Sequence, residues 1–316
     1  MIPGRGCELS KLTEYPIDGP VRNFIGYGRE GLKVQWPNNA QLVLNIAINY
    51  EEGSEQMKSL GDTENETFVE FNPLMPDHMR DIAVESVFEY GSRVGIWRLQ
   101  RLFDELDIPV TIFGCAIALE RNPEVASWIK ERGHDVCAHG WRWEKAWNLS
   151  RDEEQQRIEW AYDSIKNTCG AAPTGWYSRY GPSVNTRELL VEHGGFLYDS
   201  DAYNDEIPYY EKVKGRNHLI VPYNQTLNDG KFVRPQGYGS ATDFLDTLKR
   251  TFDYLWEEGK THPKTMTIGL HPRIIGQPYR ISALKEFLQY VLERENVWIA
   301  KRLDIAEFWT NHYKSE

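Results

Sequence analysis

Several short apolar runs of this 316-residue chain are followed by polar residues suited to acid–base chemistry. The adjacent acids Glu51 and Glu52 follow the run that begins at Leu42, and His139 and His271 follow two later runs. A carboxylate whose pKa is raised by burial or crowding can act as a general base, and a histidine can protonate a leaving group. Taken singly, each of these residues is more often structural than catalytic. Their shared position after apolar runs favours a catalytic function.

A sharp bend over residues 176–182 adds a fixed positive charge. Arg179 could orient a base or a substrate, and the Gly and Pro that follow Tyr180 bend the backbone so that its N–H groups could face a developing oxyanion. The alternative is an arginine that satisfies helix-end carbonyls or forms an ion pair. Asp199 and Asp201 follow the next apolar run and could orient an arginine or a histidine.

The elements that must position these residues alternate regularly from residue 41 onward. Apolar runs of strand length are separated by amphipathic helical patterns, which predicts an α/β fold with a parallel sheet. In a barrel of parallel strands the carboxyl ends lie on one rim, where the active site is found. The predicted strands are Leu42 to Ile48, Val110 to Phe113, Asp135 to Ala138, Gly175 to Tyr177, Phe196 to Tyr198, Leu219 to Val221, Thr265 to Leu270 and Val297 to Ala300.

Two helices have recognisable ends. Pro123 and Glu124 are typical of a first helical turn, and Gly133 is expected to end that helix. Ser150 and Glu153 match a capping box that opens a helix to about residue 169.

Two segments interrupt the alternation. Residues 1–40 are rich in Pro and Gly and are interpreted as an N-terminal extension, which leaves residues 41–316 as the barrel domain. Residues 53–94 are an insertion after the first strand, long enough to form a lid, a binding loop or an interface. Together with the 13% aromatic content, these segments favour a homo-oligomer.

Charge and cysteine content exclude some partners and compartments. A formal net charge of -11 without a basic run argues against nucleic acid. The four cysteines contain no CxxC pair, so reduced thiols in the cytoplasm are expected. We find neither a signal-peptide pattern nor an apolar stretch of membrane-spanning length, so no membrane partner is expected.

The order of these motifs resembles the polysaccharide deacetylase family. The family's first motif, an aromatic residue, two Asp and a Gly, corresponds to residues 50–53 with both acids lengthened, and its last motif corresponds to His271 preceded by Leu. Its arginine-centred turn corresponds to Arg179 and Tyr180. The resemblance implies a distorted (β/α) barrel of about seven parallel strands over residues 41–310.

The resemblance also implies a metal site, from which this chain departs. In the family the second acid and two histidines four positions apart hold a divalent metal. Here those positions are Glu52, His139 and Trp143, and an indole cannot ligate. Catalytic zinc normally needs three protein ligands, so we expect no metal and no other cofactor.

Residues 88–93, the Glu pair and the N-terminal extension resemble one branch of this family, the allantoinases of bacterial purine degradation. That branch implies metal-independent hydrolysis of the cyclic amide of allantoin, and a tetramer is plausible by the same resemblance. The implied catalytic roles are Glu51 as the base, His271 as the acid for the leaving nitrogen, and Arg179 as the residue that orients the base or the substrate. The backbone N–H near Tyr180 would bind the oxyanion. The remaining implied substrate-binding residues are Asn49, Glu52 and His139, with Trp143 filling the space of the missing metal ligand.

Three other functions remain open. A metal-dependent deacetylase of acetylated sugars would need an open groove and a complete ligand set. A hydrolase of another cyclic amide or imide would use the same groups. A noncatalytic binding protein would have no reason to retain Glu51, Arg179 and His271 together.

Overall fold

The computed structural model describes residues 19–313 and contains one curled, mostly parallel sheet. Within the described residues the sheet has nine strands in the order β6-β7-β5-β4-β3-β2-β1-β8, with β9 also paired to β1. The pairs are parallel apart from the antiparallel hairpin β6–β7. The expected α/β fold is therefore confirmed. The strands are β1 Leu42–Tyr50, β2 Thr111–Gly114, β3 Asp135–Ala138, β4 Gly175–Trp176, β5 Tyr198–Asp199, β6 Tyr209–Val213, β7 Arg216–Ile220, β8 Lys264–Leu270 and β9 Val297–Ile299.

The predicted strands are all present, with ends displaced by up to three residues. Strand β6 was not predicted from the sequence, because residues Tyr209–Val213 are mostly half-exposed and include no apolar run. Edge strands of this kind lack the continuous apolar pattern by which buried parallel strands are recognised.

Ten α-helices of the described chain surround this sheet. The capping box of Ser150 and Glu153 is confirmed at the start of α5, and Gly133 ends α4 in a left-handed conformation, as expected. The helices are α1 Ile82–Tyr90, α2 Ile96–Leu106, α3 Ala116–Arg121, α4 Pro123–Arg132, α5 Arg151–Cys169, α6 Thr186–His193, α7 Ala241–Glu258, α8 Pro272–Ile275, α9 Pro278–Leu292 and α10 Arg302–His312.

Strand β1 is the centre of the sheet, since it pairs with β2, β8 and β9 and its nine residues are all buried. Successive side chains of a strand point to opposite faces. Ile46 and Ile48 pack in the larger apolar core, whereas Val43 and Ala47 join the smaller cluster inside the curled sheet. Asn49 and Glu51 continue the inward-facing series, so the strand itself aims the first acid at the interior.

The sheet does not close fully, because its edge strands β6 and β8 are not paired with each other in the strand order that the structure describes. A parallel bridge between Asn228 and Gly269 partly fills this gap. Gly269 permits this close approach, because a Cβ there would overlap the Tyr223 hydroxyl. The bridge brings the segment that starts at residue 228 against the carboxyl end of β8.

Arg302 fills the sheet interior and is fully buried. Its guanidinium donates to Ser200 Oγ at 2.9 Å, Asn45 Oδ1 at 3.2 Å and Thr267 Oγ1 at 3.2 Å, and to two backbone carbonyls. These neutral acceptors link strands from both sides of the sheet.

The insertion contains α1 and a π-helical turn at Gly91–Gly95 that runs into α2. A Cβ at Gly95 would overlap the carbonyl oxygen of Pro272, so this glycine allows α8 to pack directly on the turn. π-Helical turns occur frequently at functional sites. The insertion is therefore joined to the segment that follows β8.

The predicted N-terminal extension lies partly outside the described residues. Of its described part, Val34 and Trp36 are buried, whereas Phe24 and Ile25 are exposed, as are Leu74 and other apolar residues of the insertion. The domain boundary at residue 40 and the homo-oligomer stay predictions. Helices long and apolar enough to span a membrane are absent from residues 19–313.

We expect Gly95→Ala to lower the free energy of unfolding by about 1–3 kcal/mol, because the added methyl group must displace the backbone of α8. Urea titration would measure the change. Gly181→Ala is the matched control, since no heavy atom that the structure describes lies within 4 Å of a Cβ built there. Equal stability of the two variants would contradict the tight packing of α8 on the π-helical turn.

Candidate active site

Glu51 lies at the end of β1 between two histidines and is 1% exposed. Its Oε1 lies 3.3 Å from Nε2 of His139 and 3.6 Å from Nε2 of His271. Burial raises the pKa of Glu51, but the guanidinium of Arg273 and the imidazole of His271 outweigh it and hold the pKa well below its ordinary value. Glu51 is therefore ionised at neutral pH.

His271 follows β8 and is held by Asp229. Its Nδ1 lies 2.6 Å from Asp229 Oδ1, and its backbone N–H donates to Asp229 Oδ2 at 2.8 Å. Burial lowers the pKa of His271, but the carboxylates of Asp229 and Glu51 outweigh it and raise the pKa to about 9. An imidazolium faces Glu51 at neutral pH, so a base and an acid are in contact.

Asp229 was not predicted from the sequence. It is fully buried in the segment bridged to β8, where Oδ2 also accepts from the backbone N–H of Ile275. Residues 228–230 read Asn-Asp-Gly, which is typical of an exposed turn. No residue pattern connects this turn to His271, because the contact depends on the incomplete closure of the sheet.

Arg273, which is 2% exposed, was also not predicted from the sequence. Its Nη1 lies 2.8 Å from Glu51 Oε2 and 3.5 Å from Glu52 Oε1. The closer contact is an ion pair without an aligned N–H, whereas the longer one has hydrogen-bond geometry. The one sequence feature that could have indicated Arg273 is its position two residues after His271.

Glu52 faces away from the histidines. Its Oε2 accepts from the backbone N–H of Glu51 at 3.0 Å, and its Oε1 accepts from the backbone N–H of Arg273 at 3.3 Å. A Cβ at Gly91 would overlap its carboxylate, so the π-helical turn covers it. Burial raises the pKa of Glu52, and although Arg273 opposes this, the neighbouring Glu51 charge adds to it. The structure separates the two acids that we expected to share a pocket.

His139 and Asn49 lie on the interior side with Glu51. Nδ1 of His139 lies 2.6 Å from the carbonyl oxygen of Tyr177, and because a carbonyl only accepts, this nitrogen carries a hydrogen. The ring stacks on Tyr177, with centroids 5.0 Å apart. Asn49 donates to the carbonyl of Leu270 at 3.2 Å, which ties the ends of β1 and β8 together.

Trp143 and Arg179 form a wall beside Arg273. The Arg179 guanidinium lies 3.9 Å from the Trp143 ring centroid, and the Arg273 guanidinium lies 5.4 Å from it. Arg179 pairs with Glu66 at 2.8 Å and donates to the Trp143 carbonyl at 3.0 Å. The arginine that reaches Glu51 is Arg273, and Arg179 instead holds Trp143 and the insertion.

The remaining predicted residues lie farther from Glu51. Tyr180 is 67% exposed and has a positive φ, and its carbonyl accepts from the Tyr203 hydroxyl. Asp201 accepts from the backbone N–H of Ser178, which fixes the turn before Tyr180. Burial, together with the Asp199 charge, raises the pKa of Asp201 to about 7.

Asp199 pairs with Arg187 at 2.7 Å and with His218 at 3.0 Å. Asp199 was predicted to orient an arginine or a histidine, and its carboxylate contacts one of each. These partners lie on α6 and β7, so this cluster is separate from the one at Glu51.

The insertion covers the acid–base pair. The Phe68 ring meets the edge of His271 with centroids 5.9 Å apart, and the Arg273 guanidinium lies 4.2 Å from the Phe88 centroid. Glu66 from the same insertion is buried and accepts from the backbone N–H groups of Thr67 and Phe68. Of the lid, binding-loop and interface interpretations, this packing favours the first two.

The family resemblance is shown by comparison with known proteins. The family model described as polysaccharide deacetylase matches residues 77–195. A Schizosaccharomyces pombe protein that carries the polysaccharide deacetylase name is 36% identical over 297 residues, which cover 87% of this chain and 92% of that protein. The chain belongs to the polysaccharide deacetylase family, and the fold expected from the resemblance is confirmed.

Two solved structures are similar over almost their whole length. One, from Pseudomonas aeruginosa PAO1 and described as a polysaccharide deacetylase, is 40% identical with a TM-score of 0.89 and covers 93% of this chain and 99% of its own. The other is PuuE allantoinase, which is 39% identical with a TM-score of 0.90 and covers 96% of this chain and 100% of its own.

The residues at the family's metal position do not fit a divalent ion. Glu51 and Glu52 share the Arg273 guanidinium, and the indole of Trp143 replaces a ligand. Within residues 19–313 no group of three or more His, Cys, Asp or Glu side chains is arranged to hold a metal. A divalent ion would have to displace a positive charge already in contact with both acids.

The His271 pKa predicts a pH dependence of stability. The unfolded chain releases this proton near the ordinary value of 6.5, whereas the folded chain keeps it up to about 9. The stabilisation is complete below pH 6.5 and is lost as the pH rises through 9, with a slope of at most about 1.4 kcal/mol per pH unit.

Urea titrations at several pH values would measure this slope. We expect His271→Gln to remove it and His262→Gln, at an exposed histidine, to leave it unchanged. A slope that persists in His271→Gln would show that the proton is bound elsewhere.

Proposed function

We propose that this chain is a hydrolase that opens the cyclic amide of allantoin to give allantoate. The observation that carries the proposal is the enclosure of the acid–base pair: Glu51, His139 and His271 are each at most 5% exposed beneath the insertion. A polysaccharide chain would need an open groove, whereas a small polar ring can be enclosed. The 39% identity to PuuE allantoinase supports this substrate class.

In this mechanism Glu51 is the general base. It takes a proton from water as the water oxygen bonds to the ring carbonyl carbon, and a tetrahedral intermediate forms. Its lowered pKa makes Glu51 a weak base while it contacts His271 and Arg273. A substrate that enters between Glu51 and His271 separates the ion pair and strengthens the base.

His271 is the general acid. Its Nε2 faces Glu51, and Asp229 holds Nδ1, so the Nε2 proton is available to the departing ring nitrogen. The C–N bond breaks as that nitrogen takes the proton, and the carbonyl carbon becomes the carboxylate of the product. Arg273 lies beside Glu51 and opposes the negative charge that develops on the carbonyl oxygen.

The remaining predicted roles are assigned by placement. Asn49 and His139, which are buried on the interior side with Glu51, bind substrate polar groups in this proposal, and Trp143 supports Arg273 through its ring. Glu52 holds the backbone of the Glu51 turn and the Arg273 amide. Arg179 acts on the site through Trp143 and Glu66.

The test of this proposal is an assay of purified protein, with elemental analysis of the same sample, against allantoin, hydantoin, a cyclic imide and an acetylated chitooligomer. We expect allantoin to be hydrolysed fastest and exhaustive chelation to leave the rate unchanged. If the protein hydrolysed only another cyclic amide or imide, allantoin would be the wrong substrate. Release of acetate from the chitooligomer alone would establish the deacetylase function indicated by the names of other relatives.

We expect Glu51→Gln to lower kcat for allantoin at least about 100-fold, because an amide cannot accept the proton of water. Glu52→Gln is the matched control, since its carboxylate lies under Gly91 and away from the histidines, and we expect a smaller effect. Circular dichroism would check that both variants fold. A larger loss of kcat in Glu52→Gln than in Glu51→Gln would show that Glu52 is the base and that the two proposed roles must be exchanged.

A further inference from the structure

The guanidinium of Arg273 lies against the two acids that correspond to the family's acid pair. Its Nη1 contacts Oε2 of Glu51 and Oε1 of Glu52. The same guanidinium lies over the rings of Phe88, at 4.2 Å, and Trp143, at 5.4 Å. A positive charge is therefore already present between the two acids.

The surroundings of Arg273 favour a role as a charge more than as a hydrogen-bond donor. Its Nε and Nη2 are buried and have no hydrogen-bond partner among the residues that the structure describes. Burying a cation with unused donors is costly unless nearby opposite charges compensate. The two carboxylates supply that compensation, so removing either the arginine or the acids leaves the opposite charge buried.

The π-helical turn keeps Arg273 in place. Gly95 admits the carbonyl of Pro272, the residue before Arg273, and Gly91 admits the Glu52 carboxylate. Side chains at these glycines would push α8 and the second acid away from each other. Gly91 belongs to residues 88–93, which contribute to the family resemblance, and its structural role is to admit the Glu52 carboxylate.

We infer that Arg273 is the resident cation of the acid pair, and that its guanidinium, more than the loss of a histidine at position 143, excludes a divalent metal. A metal bound there would meet a like charge within contact distance of its first ligand. Restoring the histidine alone therefore does not restore a metal site. This inference concerns metal binding and does not depend on the identity of the substrate.

Arg179 provides a matched control, because it also stacks on Trp143 but pairs with Glu66 instead of Glu51. Four variants would be compared: Trp143→His alone, and Trp143→His combined with Arg273→Met, with Arg273→Lys or with Arg179→Met. Zn²⁺ binding would be measured by calorimetry and by elemental analysis after gel filtration, and Co²⁺ binding by its absorption spectrum.

We expect about one Zn²⁺ per chain only in Trp143→His/Arg273→Met, since the neutral side chain frees Glu51 to ligate together with His139 and the new histidine. The lysine variant keeps a positive charge and is expected to stay without metal, as are Trp143→His and the Arg179 control. Stoichiometric Zn²⁺ in Trp143→His alone would overturn the inference. A folded Trp143→His/Arg273→Met that binds no Zn²⁺ or Co²⁺ would also overturn it.

Circular dichroism would check folding, because Arg273→Met leaves two acids buried without a counter-ion. If that variant is unfolded without metal, the inference predicts that added Zn²⁺ restores the fold by supplying the missing cation. Failure of Zn²⁺ to restore the fold, both in this variant and in Trp143→His/Arg273→Gln, would count against the inference.

Discussion

The ion pair between Arg273 and Glu51 is the interaction on which the rest of the site depends. It joins the end of β1 to the start of α8 across 2.8 Å, with both side chains at most 2% exposed. Ionised groups this deep are tolerated only when each has a partner. Glu52 and the His271–Asp229 pair complete the buried cluster, in which two cations, Arg273 and His271, contact three acids.

Ion pairs and ring contacts of this buried cluster link the insertion to the sheet. Two guanidinia, those of Arg179 and Arg273, both lie against the indole of Trp143, and each is paired with an acid. One of these acids, Glu66, comes from the insertion, and the other, Glu51, comes from β1. The insertion and the end of β1 are thus held together by two ion pairs and by the arginine contacts with the Trp143 ring. Movement of one of these segments must therefore disturb the other.

The part of the site that could be predicted from sequence is the part carried by strand ends. Glu51, His139 and His271 follow buried apolar runs, and parallel strands bring such positions to one rim whatever the intervening loops do. Helix boundaries such as the Ser150–Glu153 capping box were predictable for a similar reason, because their signals are local.

The groups that set the charges of these residues could not be predicted in the same way. Asp229 reaches His271 through a bridge at the open side of the sheet, and Arg273 reaches Glu51 because two glycines let α8 pack on a π-helical turn. Neither contact has a fixed spacing in the chain. For Arg179, the sequence indicated the bend around the residue but not its ion-pair partner, because Glu66 lies in the insertion.

The burial of Arg273 has a consequence for how the protein matures. A metal site can be assembled after folding, and a cell can hold such a protein as an empty apoprotein until the ion is delivered. A cation that is part of the chain arrives with the polypeptide, and its 2% exposure means that it must lose its water as α8 packs against β1. The charge cluster and the tertiary fold therefore form together, whereas a cluster completed by a metal ion would be finished only when the ion binds.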